Sequence, residues 1–179
     1  MNTVSYIYYP KQNSRNIGHG ALVIDGCVCG FRSWDGFYAE PLGEKIERSK
    51  SGKGYPFFLF DITISPEQLA LLREHKKESL GYSCSQDALI PLSRYGGYSV
   101  PFPFNVLPMI AALYLTAAKR LGSRRITKIK FFGNEDQNAN LNKCLPGVLG
   151  ETLFIGAMVS TAYFVLLAAF IHFSLWSRG

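Results

Sequence analysis

The stretch from Leu153 to Trp176 constrains this chain most: LFIGAMVSTAYFVLLAAFIHFSLW, 24 residues without an Asp, Glu, Lys or Arg. As a helix with ~1.5 Å rise per residue it would extend ~36 Å, enough to cross a bilayer core of ~30 Å with some tilt. A core helix of that length normally keeps a polar face, and this stretch has none. Only Ser177, Arg178 and Gly179 follow it. The reading is a membrane protein with a single-pass, C-terminal anchor. It divides into a folded domain over 1–132, a linker over 133–152 and a transmembrane helix over 153–176. Lys143 and Glu151 before the span and Arg178 after it are too sparse a charge pattern to set an orientation. Gly156 and Ser160 give the span a small-residue face through which copies would pair as a homo-oligomer. His172 near its end is read as snorkelling to the interface.

Without that tail, enough chain remains for one domain with its own core. The N-terminus, MNTVSYIYYPKQNSRN, lacks a charged start followed by an apolar run, so a signal peptide is not expected. The net charge of +6 is concentrated at Lys45, Arg48, Lys50 and Lys53, at Arg73, Lys76 and Lys77, and between Lys119 and Lys130. On an anchored domain this basic surface points to membrane lipids as partners. No nucleic-acid-binding motif accompanies the charge, so nucleic acid is excluded as a partner. The four cysteines, Cys27, Cys29, Cys84 and Cys144, are too few for a disulfide framework. Cys27 and Cys29 face one side of a strand and read as small core residues rather than as a metal site. Neither a metal nor a cofactor is expected.

Val4–Tyr9 reads as a short strand and Lys11–Asn16 as a polar loop. Gly18–Asp25 is a strand, Asp25-Gly26 a hairpin turn, and Cys27–Trp34 the returning antiparallel strand. Arg48–Gly54 is a charged loop, and the aromatic run Tyr55–Ile64 a central strand buried on both sides. Ser65-Pro66-Glu67-Gln68 combines a cap, a first-position proline and a capping-box glutamine, opening a helix that runs to about Ser79. A further helix begins near Ser83, a loop spans Gly96 to Pro103, Val106–Arg120 is helical, and Ile126–Phe132 is a last strand.

Two residues in this layout have the chemistry for acyl transfer. His19 starts the GHGALVID strand, and Cys84 in YSCSQDAL stands at a helix N-terminus. The partial positive charge of a helix N-terminus favours a thiolate, and an imidazole in reach takes the proton. Such a pair attacks a carbonyl. Taken alone, each residue also has a plain structural use, in the strand and in the core.

GHGALVIDGCVCGFRSWDG and GYSCSQDAL resemble the histidine hairpin and the cysteine segment of the circularly permuted NlpC/P60, papain-like superfamily. In that branch histidine precedes cysteine, and the segment CSQ is similar to its YiiX-like members. Lecithin retinol acyltransferase-like members carry a C-terminal membrane helix, although they have asparagine where this chain has Ser83. The resemblance covers Gly18 to Leu115. It implies an α+β fold of the permuted papain-like kind, an antiparallel sheet packed on helices, completed by the C-terminal transmembrane helix. It implies Cys84 as nucleophile, His19 as base and the backbone N–H of Cys84 as oxyanion donor, with the Tyr82 hydroxyl a second donor. The orienting third residue falls on the strand after the histidine strand, where alternation favours Ser33, then Asp35.

The expected function is a membrane-anchored cysteine hydrolase or acyltransferase attacking an amide or ester carbonyl. Its substrate would be a peptidoglycan peptide, an isopeptide or a lipid acyl chain. The alternative is a catalytically inactive papain-like binding module, or a membrane-tethered scaffold that uses its basic surface.

Overall fold

A computed structural model of the protein describes residues 2–10, 18–32, 36–78 and 83–134. These belong to one compact unit lying within Met1–Gln137. Six strands form a single sheet: β1 Asn2–Tyr9, β2 His19–Ile24, β3 Cys27–Arg32, β4 Gly36–Pro41, β5 Phe57–Ile64 and β6 Ile126–Phe132. Their order across the sheet is β4-β3-β2-β1-β5-β6, and every neighbouring pair is antiparallel. Four helices accompany them: α1 Leu42–Lys50, α2 Pro66–His75, α3 Cys84–Arg94 and α4 Pro108–Arg120.

The β2–β3 hairpin turns where Asp25-Gly26 predicts it. Both residues have positive φ, 52° and 72°, the combination a two-residue turn matched to strand twist requires. Arg73 of α2 donates two hydrogen bonds of 2.7 Å to the Asp25 carboxylate and ties that helix to the turn. At the start of α2, Ser65 Oγ accepts from the Gln68 N–H at 3.2 Å, and Gln68 Oε1 accepts from the Ser65 N–H at 2.9 Å. This is the reciprocal box that the residue spacing predicts. The helix stops at His75 with Lys76 as its cap, short of Ser79.

Alternation along the strands sorts their side chains onto two faces. One face carries Val4, Tyr6, Leu22, Ile24, Phe60 and Ile62, and packs under α2, α3 and α4. The other carries Ile7, Ala21, Val23, Val28, Phe57 and Leu59, and packs against Leu42 and Ile46 of α1. Burial on both faces explains why β1, β2 and β5 carry apolar residues on both alternations, with Ser5 and Asp61 as a buried hydrogen-bonded polar pair between β1 and β5.

Two corrections follow. Arg48–Lys50 closes helix α1 rather than opening a loop, and β4 and α1 lie in a segment where no element is expected from sequence. Bound up with the permuted papain-like reading was a C-terminal transmembrane helix. The described residues instead form an α+β unit of six antiparallel strands and four helices, and no helix among them is long and apolar enough to cross a membrane. The longest, α4, has 13 residues, roughly 20 Å of helix, and ends on Lys119 and Arg120. Leu153–Trp176 itself lies outside the described residues.

Candidate active site

Cys84 is the first residue of α3. Ser83 caps that helix: its hydroxyl accepts from the Gln86 N–H at 3.2 Å and donates to the Val106 carbonyl at 2.8 Å, fixing the helix start to the loop before α4. Ser85, fully buried, pairs its hydroxyl with that of Tyr6 at 3.2 Å. Tyr6 reaches it by lying across Gly20, where a Cβ would collide with the tyrosine hydroxyl and come within 3.0 Å of the ring carbon that bears it. Cap, hydroxyl pair and glycine gap together seat the N-terminus of α3 on β2.

The Cys84 thiol is half-buried against Gly20. Burial pushes its pKa above the ordinary thiol value, and the backbone N–H groups of Gly20, Ser85 and Cys84 itself pull the other way. Asp87, one turn along α3, raises it further. Desolvation prevails, and in this arrangement the sulfur is held as a thiol.

His19 is the chain neighbour of Gly20 and the first residue of β2. Its register partner is Tyr9, so it shares a face with Ile7 and Ala21 rather than with Tyr6 and Leu22. The imidazole Nε2 lies 3.0 Å from the Tyr38 hydroxyl, and the ring centroid is 5.9 Å from that of Tyr9. Lys45 Nζ sits 5.0 Å from the centre of the Tyr9 ring and 2.7 Å from the Glu40 carboxylate. The fold thus brings Cys84 and His19, distant in sequence, to the same end of one strand. The His19 side chain lies on the α1 face, whereas α3, which carries Cys84, packs on the Leu22 face.

The orienting positions Ser33 and Asp35 lie outside the described residues, as do Tyr82 and Cys144. Tyr38 of β4 is the histidine partner that sequence reasoning missed. It pairs with Gly30 across the β3–β4 ladder, and a Cβ on Gly30 would come within 3.0 Å of its ring and hydroxyl. A glycine inside a strand marks a close approach, and Gly30 in CVCGF was the available signal. Cys29 is buried, its thiol raised chiefly by desolvation, and contacts the Cys27 carbonyl at 3.7 Å. Among the described residues no three His, Cys, Asp or Glu side chains stand together as a metal ion would require.

No family model matches the chain, and neither a curated protein nor a solved structure matches it.

Proposed function

We propose that the chain is a cysteine hydrolase or acyltransferase with Cys84 as nucleophile and His19 as its base. The observation that carries this reading is the seating of Cys84, as the first residue of α3, on Gly20 beside His19. The backbone N–H of Cys84 supplies a donor for a carbonyl oxygen that becomes an oxyanion. The resemblance of GHGALVID and CSQDAL to the permuted NlpC/P60 motifs supports the same two roles and membership in that superfamily.

In the reaction the imidazole accepts the thiol proton, and the thiolate attacks the carbonyl carbon of an amide or ester. The bond to the leaving nitrogen or oxygen breaks as the imidazolium returns its proton to that atom. Water or an acceptor hydroxyl or amine then attacks the thioester, giving its proton to the imidazole, and the thiol is regenerated. This chemistry requires the His19 ring to leave the α1 face and reach Cys84. Peptidoglycan peptides, isopeptides and lipid acyl groups all suit it. The exposed basic residues Arg120, Arg124, Arg125 and Lys128, with Leu121 exposed among them, support meeting the substrate at an anionic lipid surface.

Incubation with p-nitrophenyl acetate tests the reading. An acetyl adduct on Cys84, lost in His19→Ala, is the expected result. Acetylation confined to Cys27, or adduct formation indifferent to His19, contradicts it. The second reading, a non-catalytic binding module, is favoured by the bond from His19 to Tyr38 on the far face and by the raised thiol.

A further inference from the structure

The histidine that would serve Cys84 is engaged elsewhere, and the engagement is built rather than incidental. Tyr38 extends from β4 across β3 to reach His19 on β2. It does so only because residue 30 has no side chain: a Cβ there would stand 3.0 Å from Tyr38 Cε1 and Oη and 3.1 Å from Ala21 Cβ. The hydroxyl then meets His19 Nε2 at 3.0 Å. The two rings lie nearly parallel, 29° apart, with centroids separated by 6.3 Å. Tyr9 flanks the imidazole from β1, with Lys45 over the tyrosine ring.

We propose that Tyr38 is a positioning residue that latches His19 on the α1 face of the sheet, and that releasing this hydrogen bond frees the imidazole to serve Cys84. The inference rests on the reading of Cys84 and His19 as nucleophile and base. Latched, the sulfur has Asp87 and three backbone N–H groups near it, and it stays protonated. Released, the histidine turns about the residue before it, Gly18, which stands at φ +91° at the strand end. Among the described residues, Tyr38 from β4 and Tyr9 from β1 face the latched imidazole, with Lys45 of α1 beyond the tyrosine, itself bound to Glu40.

The test is a double-mutant cycle on the full chain, reading Cys84 alkylation by iodoacetamide at neutral pH through peptide mass spectrometry. Tyr38→Phe keeps the ring over Gly30 and removes only the hydroxyl. Cys84 should then react about two- to tenfold faster, the range by which losing one hydrogen bond shifts a two-state balance. The gain should vanish in Tyr38→Phe/His19→Ala, and Cys27 should react as in the wild type. Should Tyr38→Phe fold poorly, Tyr38→Leu covers Gly30 without a hydroxyl and carries the same expectation. An unchanged or slower Cys84 in the tyrosine variants, with His19→Ala still slowing it in the wild-type background, overturns the latch and leaves the nucleophile–base reading standing. Indifference to His19→Ala in both backgrounds overturns that reading as well.

Discussion

The hydroxyl of Tyr6 meets that of Ser85 at 3.2 Å, across a chain separation of 79 residues, with both side chains fully buried. This bond joins the central strand β1 to the residue following Cys84. Desolvation keeps the Tyr6 phenol neutral, its pKa raised well above the usual range. Tyr6→Phe would leave the Ser85 hydroxyl buried without that partner, at a cost of about 1–2 kcal/mol. Denaturant unfolding should show a lower midpoint at unchanged slope.

Gly20→Ala should destabilise more than an exposed glycine replacement, by about 1–3 kcal/mol, because its Cβ meets the Tyr6 hydroxyl and ring. Removing that hydroxyl relieves part of the clash. The double variant Gly20→Ala/Tyr6→Phe should therefore cost less than the sum of its parts, measurable by the same unfolding experiment.

Ser65→Ala removes the acceptor at 3.2 Å from the Gln68 N–H and opens the capping box of α2. A loss of about 1 kcal/mol is expected, and Ser65→Asp, which restores an acceptor, should recover most of it. Thermal melts of the three proteins check this.

Capping, turn and hairpin were legible because each is written in a few adjacent residues. Ser65 to Gln68 and Asp25-Gly26 fix local backbone without help from tertiary contacts. The face on which His19 lies was not legible. HGALVI is apolar on both alternations because α3 covers one side and α1 the other, so no polar face marks a direction. Strand β4 was missed for a related reason: GFYAEP is half-exposed, and its tyrosine has a role only through Gly30 on the next strand. Cys84 at a helix start was readable from the helix expected to begin near Ser83. That its thiol is raised was not, because the cause is burial against Gly20.

Alkaline titration gives a further check. Burial pushes the Tyr8 phenol from 10.0 up to about 12, and Tyr6, Cys29 and Cys84 are also raised. For such groups the unfolded chain ionises first. The stability they contribute is complete below their unfolded pKa values and is lost as pH rises toward the folded ones. For Tyr8 the loss runs between pH 10 and about 12. Stability followed by denaturant midpoints should fall across that window, and phenolate absorbance should appear late in the folded protein.

The central claim, that His19 activates Cys84, is tested most directly by the rate of Cys84 alkylation against pH in the wild type and in His19→Ala. A thiolate–imidazolium pair reacts at pH values where the free thiol does not. Through the molecules in which the Tyr38 latch is open, the wild type should accordingly show a shoulder below the ordinary thiol range, larger in Tyr38→Phe. In His19→Ala that shoulder should disappear, leaving one rise above the ordinary thiol range. Superimposable profiles with a single alkaline rise in both proteins would contradict the account and leave Cys84 a core thiol in a binding module.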